Sequence, residues 1–583
     1  MRLIDALNTL NAARGRPDRV EFDLLCGFQP LHLATLLGAR LQQVEPRARV
    51  HIREGRYGDL AGNLERAAQA PCRGAAVVVE WDDLDPRLGI RHAGSWSHDR
   101  LADVLDNAER SLARLESALA ALADAEPVAL CLPTLPLPPV ALTPTWQASP
   151  LGTALAECIA SFAARAGNVP GLRLLDHGHL DRVSPAPRRS ARSELTTGFP
   201  YTHAHADAVA RALARLLVPP VPKKGLITDL DDTLWSGILG EVGVDGVVWD
   251  LDDGAQQHGL YQALLAALAA SGVLVAVVSR NDPALVEQAF ERGDLRLSAS
   301  QVFPIIARWS SKSDAVAEVL QAWNVGPESV VFVDDSPLEL AEVQQRFPEI
   351  ECIAFPSRDA DAVLVLLEDL RDRFGKEHVQ AEDVLRLESL RTSSRLQGAA
   401  AAGGPVDADA FLSTLDARIR VRAGADVARR AFELVNKTNQ FNLNGERYGE
   451  AEWRSLLAAP GSFVLGLDYE DKFGPLGTIA VVTGRRAGDE VRVERWVMSC
   501  RAFARRIEHA TLRLLFEELG ATAALLDFRP TDRNGPLREF LAELVDVPSA
   551  PALLRITRED FEAACAPTFH AVARSEAHEL ARG

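Results

Sequence analysis

Short apolar runs alternate with longer segments in which apolar residues recur every three or four positions. Over the first ~215 residues, VEFDLLCGF (20–28), GAAVVVEW (74–81) and PVALCLP (127–133) read as buried strands. PLHLATLLGARLQQV (30–44) and the long run from His98 to Ala125 read as helices. This alternation predicts a parallel α/β sheet. VPPVPKKG (218–225) is a Pro-rich linker.

The pattern restarts at Leu226. Strands are expected at LITDL (226–230), VLVAVVS (273–279), SVVFVDD (329–335) and IECIAF (350–355). Helices are expected at 259–271, 283–291, 312–324 and 338–347, which makes a second, doubly wound unit over 222–360. A charged helical linker (361–404) ends in GAAAAGGP, a flexible joint. A third, α+β unit (405–560) carries the strands SFVLGLDY, LGTIAVVTG and VRVERWVMS, and a helical tail (561–583) follows. The first unit occupies 1–217. Leu260–Val278 is apolar enough to imitate a membrane span, but Ser271-Gly272 breaks it, so a helix, a turn and a β-branched strand are expected.

With 583 residues the chain is too long for one core. Its net charge of −18 disfavours nucleic acid and anionic membrane as partners, so a small anionic substrate needs a local cation. There are 6 Lys and 57 Arg, which singles out Lys312 and Lys437. The seven cysteines show no CxxC and no zinc-type spacing; with no apolar leader in MRLIDALNTLNAARGR, a reducing, cytoplasmic setting is expected.

KGLITDLDDTLW (224–235) drives a strand into three acids, Asp229, Asp231 and Asp232. Ligands of open parallel sheets bind beyond the carboxyl ends of the strands. Ser279, Asp334 and Asp335 stand at the ends of two other strands, and Lys312 opens the helix before the last of these. Clustered carboxylates repel one another and raise their own pKa values. A hard dication such as Mg²⁺ relieves this, and a Lys with a Ser would serve the remaining oxygens of a phosphoryl group.

The ordered set D-L-D-D-T (229–233), Ser279, Lys312 and D-D (334–335) resembles the haloacid-dehalogenase-like phosphatases. That resemblance implies Asp229 as the nucleophile and Asp231 as general acid/base. It implies Mg²⁺ on Asp229, Asp334, Asp335 and Asp231, the last through its backbone carbonyl. Thr233, Ser279 and Lys312 would orient phosphate. DLDDTLWSGILGEVG, VVSRND and VFVDDSPLEL further resemble the FkbH-like branch, as do ELVNKTNQFNLNGERY (433–448) and WVMSCRAFARRIEHATL (496–512) in an acetyltransferase-like (GNAT-like) domain. The first unit then resembles SGNH hydrolases, but CGFQP replaces their GDS and LDHGHLDR (175–182) only loosely matches their Asp/His block. A scaffold or docking role is expected for it.

Members of this branch move a glyceryl unit from 1,3-bisphosphoglycerate to an acyl carrier protein in polyketide pathways. An acyl phosphate is already activated towards a thiol, whereas the phosphate ester needs an Asp229-type nucleophile. Three carriers stay open: Cys500 at a strand-to-helix junction with Arg501, Arg505 and Arg506 beyond it, Cys26 at a strand end, or no cysteine at all. Arg501 and Arg505 could hold the phosphate of a phosphopantetheine arm. Asn436, Lys437, Asn439, Gln440 and Asn442 are either a lining for that arm or capping and turn chemistry after the helix VARRAFELV. Ala504 and Arg506 occupy positions where acetyl-CoA enzymes need glycine, so a protein-borne arm fits better than free acetyl-CoA. Two rivals remain: a phosphatase acting on another small phosphate, and a non-catalytic docking scaffold for the carrier protein.

Overall fold

The computed structural model describes residues 1–92, 101–138, 143–184, 186–376, 390–391, 409, 412–424, 427–438, 441–472, 474–499, 502, 505–531 and 534–574. The chain divides into two compact units, Met1–Pro220 and Val221–Gly583.

The first unit has a five-stranded parallel sheet. Its strands are β1 (Arg19–Cys26), β2 (Arg49–Glu54), β3 (Ala75–Val78), β4 (Val128–Cys131) and β5 (Leu172–Leu174), in the order β2-β1-β3-β4-β5. The helices Leu31–Val44 and His203–Leu217 bury leucines and alanines on one face of it. The helices Leu101–Ala125 and Pro150–Ala166 cover the other.

In the second unit, β6 (Gly225–Thr228), β7 (Leu274–Ser279), β8 (Ile305–Ala307), β9 (Val330–Asp334) and β10 (Glu351–Ala354) form a parallel sheet in the order β10-β9-β6-β7-β8. The strand order reverses between β6 and β9. There the next connections leave on opposite sides and open a crevice at the carboxyl edge. Both faces are covered, so β6, β7 and β9 are buried along their whole length and read as unbroken apolar runs. The apolar stretch 260–278 is the helix Gln256–Ala270, a turn and β7; no helix among the described residues is long and apolar enough to cross a membrane.

The remaining sheet is mixed: β11 (Arg418–Ala423), β12 (Phe441–Asn442), β13 (Ser462–Asp471), β14 (Gly474–Ala487), β15 (Glu490–Met498), β16 (Ala523–Phe528), β17 (Ala552–Thr557) and β18 (Ala571–Arg574). Its order is β17-β16-β15-β14-β13-β11-β18, with β12 paired to β15. The expectation of a helical tail from 561 needs correction. Helix Arg558–Ala564 stops three residues later, and Ala571–Arg574 pairs in parallel with β11, whose other edge is taken by β13, so the free edge of β11 supplies the partner that makes this segment a strand.

β15 and β16 run in parallel register only from Glu490↔Ala523 to Val493↔Leu526. Beyond that point β15 pairs with β12, Phe441 against Met498 and Asn442 against Val497. The chain's own segment 441–444 therefore fills the opening where the two strands part.

Candidate functional site

β6 delivers Asp229 into the crevice, where its N–H donates to the Val333 carbonyl at 3.0 Å. β9 delivers Asp334, and the helix Lys312–Trp323 delivers Lys312 from its first residue. All three are buried; Asp334 is 0% exposed. The Lys312 ammonium lies 2.9 Å from Asp229 Oδ1 and 2.6 Å from Asp334 Oδ2, and it also contacts the Glu339 carboxylate. Asp229 Oδ1 is buried, with the Lys312 ammonium as its charge neighbour.

Glu339 is a site residue that the motifs do not single out. It lies in the first turn of the helix Pro337–Arg346, which starts directly after the acid pair. Pro337 opens that helix, and helical side chains lean back towards the amino end, so the first-turn acid returns to the strand tip. The string DDSPLE carries that signal. Arg280, just past β7, supports Glu339 at 3.3 Å and donates to Glu342 at 2.9 Å.

One carboxylate oxygen each from Asp229, Asp334 and Glu339 lies within 4.8 Å of the others, close enough to share a cation. The Asp335 carboxylate, expected on the metal, does not join this group; Asp231, expected there through its backbone carbonyl, has its carboxylate engaged elsewhere. Asp231 accepts from Trp235 Nε1 at 3.0 Å, Leu239 N–H at 3.1 Å and Asn281 Nδ2 at 2.9 Å. Asn281 also donates to Ser279 Oγ at 3.0 Å, which ties the end of β7 to the turn after β6. The Asp335 N–H donates to Thr233 Oγ1 at 3.1 Å, fixing that hydroxyl beside the acid pair. Asp232, between these acids, takes a left-handed φ of 50°, and its carboxylate accepts from Gly237 N–H at 2.9 Å.

The electrostatics follow from three acids around one ammonium. Burial pushes the Asp229 carboxyl up to about 6 despite Lys312. Burial and then the Asp229 charge push Asp334 up to about 7. Asp335 is raised by burial and by Asp232. Burial would lower the Lys312 pKa, but Asp229, Asp334 and Glu339 outweigh it and hold the amine protonated. The site therefore contains more carboxylate than its one lysine can neutralise, as a site built for a dication would.

The expected acyl-transfer residues fare differently. Cys500, Arg501, Asn439 and Gln440 lie outside the described residues. Arg505 does not stand at a surface. It is 1% exposed, with Nε 3.3 Å from Asp471 Oδ2 and the Tyr469 ring beside it. A buried guanidinium needs a carboxylate, and Asp471 supplies one. Asn436 exchanges two hydrogen bonds with the backbone of Tyr448. Asn442 accepts from the N–H groups of Asn444 and Gly445 and donates to the Thr438 carbonyl. Asn444 bridges the carbonyls of Glu494 on β15 and Asp527 on β16, at 2.9 and 3.1 Å. These asparagines are the turn chemistry that holds the 441–444 wedge in place. Lys437 is exposed at the end of helix Ala428–Lys437. Arg506 instead caps the helix Ile507–Leu519 from a left-handed φ of 56° and reaches the Pro567 carbonyl.

In the first unit, Cys26 is buried with its thiol against the Phe28 carbonyl, and burial together with Asp83 and Glu54 raises its pKa well above the ordinary value. That is the opposite of an activated nucleophile. Asp176 caps the helix His177–Val183.

No protein-family model matches the chain, and no curated protein does. Among solved structures, it is similar to the crystal structure of the N-terminal part of the protein BF1531 from Bacteroides fragilis, containing a phosphatase domain complexed with Mg. The identity is 17% and the TM-score 0.49, over 63% of this chain and 98% of that one.

Proposed function

We propose that the body built on β6–β10 is a Mg²⁺-dependent phosphatase of the haloacid-dehalogenase type. The observation that carries this is the Lys312 ammonium set among Asp229, Asp334 and Glu339 at the carboxyl edge, where the strand order reverses. Asp229 Oδ1, buried beside the Lys312 ammonium, suits both a nucleophile and a metal ligand. Asp229, Asp334 and Glu339 would hold Mg²⁺, which when bound offsets charge on the phosphoryl oxygens and on the acids themselves. The Asp229 carboxylate attacks phosphorus, the ester P–O bond breaks, and the leaving alkoxide takes a proton from Asp231. Water then attacks the aspartyl-phosphate and gives its proton to Asp231; phosphate leaves and Asp229 is restored. Lys312 and the hydroxyls of Thr233 and Ser279 orient the phosphoryl oxygens.

The finer reading is that the substrate is 1,3-bisphosphoglycerate and that the glyceryl group passes to an acyl carrier protein thiol. Its support is the FkbH-like resemblance of residues 229–243, 277–282, 331–340, 433–448 and 496–512. A second reading, a phosphatase for another small phosphate ester, is favoured by the internal use of Asn436, Asn442 and Arg505.

Intact-mass measurement of the carrier protein after incubation with 1,3-bisphosphoglycerate and Mg²⁺ separates the two. A glyceryl adduct supports the transfer; free phosphate with unmodified carrier supports the second reading. Asp229→Asn is expected to abolish phosphate release while leaving the circular dichroism spectrum intact, and unchanged turnover in that variant overturns the phosphatase assignment.

A further inference from the structure

The first unit carries a second cluster that the proposed reaction does not use. Asp23 lies within β1, Cys72 in the loop before β3, and Glu126 two residues before β4. β3 runs between β1 and β4, and its amino end binds both neighbours: Asp23 N–H donates to the Gly74 carbonyl and Ala75 N–H to the Pro127 carbonyl. The three segments therefore meet at one edge of the sheet. A carboxylate oxygen of Asp23, the Cys72 sulfur and a carboxylate oxygen of Glu126 all lie within 4.8 Å of one another.

Glu126 provides an independent sign of a missing partner. It is 2% exposed; one of its oxygens accepts from the Cys72 N–H, and the other, Oε1, is buried with no hydrogen bond. Buried carboxylate oxygens are normally satisfied, and an orphan in such a place points to an ion or water that belongs there. Asp23 is held by both oxygens, to Arg53 Nε and Nη2 at 2.7 Å each. This leaves each oxygen a second lone pair and fixes its direction, as outer partners of metal ligands do. Glu21 lies 3.8 Å from the same guanidinium. Arg19 also pairs with Glu21, at 2.7 Å, so Asp23, Glu21 and Glu126 face two guanidinium groups and still outnumber them by one carboxylate before the thiol ionises.

We propose that Asp23, Cys72 and Glu126 form a binding site for a thiophilic divalent cation of the Zn²⁺ class. A sulfur with two carboxylates selects such an ion over Mg²⁺ or Ca²⁺, which take oxygen ligands alone. Tetrahedral Zn²⁺ with bonds of about 2.0–2.3 Å spaces its ligands about 3.3–3.5 Å apart. Closing to that spacing requires the half-buried Cys72 sulfur to leave the Gly74 carbonyl, which it meets at 3.5 Å, and its partial exposure gives the ion a way in. On binding, a metal–sulfur bond forms and the thiol proton passes to solvent.

The test uses the full chain stripped of metal with a chelator and then titrated with Co²⁺. One equivalent is expected to produce a thiolate-to-cobalt charge-transfer band, displaced by Zn²⁺ but not by millimolar Mg²⁺. Asp334→Asn should keep the band, Cys72→Ser should lose it, and Glu126→Gln should weaken Co²⁺ binding at least tenfold. Absence of the band in the unaltered chain, or its persistence in Cys72→Ser, overturns the proposal. Without any substitution, Zn²⁺ should slow alkylation of Cys72 by N-ethylmaleimide, read by peptide mass; an unchanged rate overturns it equally.

Discussion

Replacing Lys312 by methionine keeps the length of the side chain and removes its charge. Asp229 and Asp334 are then left buried without a cation, and Glu339 keeps only Arg280 at 3.3 Å. At an effective dielectric of about 20, an ammonium at the observed 2.6–2.9 Å attracts a carboxylate by roughly 6 kcal/mol. At the same dielectric, two carboxylates within 4.8 Å repel by at least about 3.5 kcal/mol. The measured loss will be smaller than either sum, because the acids can escape by taking up protons, at a cost of about 1.4 kcal/mol for each pH step above the pKa. What remains is the cost of breaking a buried ion pair, about 3–5 kcal/mol at neutral pH. Hydrogen-exchange mass spectrometry of peptides covering β6 and β9, in EDTA at pH 7.5, reads that loss where it arises. The deficit should shrink at pH 5, and millimolar Mg²⁺ should restore more protection to Lys312→Met than to the unaltered chain. Equal protection at pH 7.5, or an equal deficit at both pH values, refutes the shared-ammonium account.

Three further outcomes are expected. Asp229 and Asp334 titrate at about 6 and 7 in the folded chain, against an unfolded value near 3.9. The folded state therefore holds more protons between about pH 4 and 7, so stability falls as pH rises through that window and is unaffected by these groups outside it. Melting curves of metal-free protein should show this slope, and saturating Mg²⁺ should remove it. Asn444→Ala strands the Glu494 and Asp527 carbonyls and should cost about 1–3 kcal/mol in urea unfolding, with phosphatase turnover unchanged. Gly225→Ala would place a Cβ 2.3 Å from the buried Trp323 ring and should cost about 1–3 kcal/mol, seen as a lowered melting temperature.

Much of the body built on β6–β10 is legible in the sequence because its polar residues follow strand ends. β6, β7 and β9 are unbroken apolar runs, and each stops at a polar residue that the sheet must bring to one edge. Lys312 is visible as one of few lysines opening a helix. Glu339 stands out only when Pro337 in DDSPLE is read as the start of a helix, because the run of paired acids ends at Asp335 and the return of a first-turn side chain depends on that start. β8 and β5, at three residues each, are too short for any period to show. β16 reads Ala-Ala-Leu-Leu, a helix-like string that only pairing with β15 and β17 makes a strand. In the last sheet, the amide-rich 436–444 segment is ambiguous for a physical reason. Asparagine offers the same groups to a ligand as to a backbone carbonyl, and only the divergence of β15 from β16 decides between them.

The pairing of β18 with β11 bears on how the protein can be cut. Without Ala571–Arg574, the strand Arg418–Ala423 would present an open row of backbone donors and acceptors with Ile419 and Val421 on it. A truncation at residue 565 would thus create a template for sheet-to-sheet aggregation, and tags or fusions belong beyond residue 574.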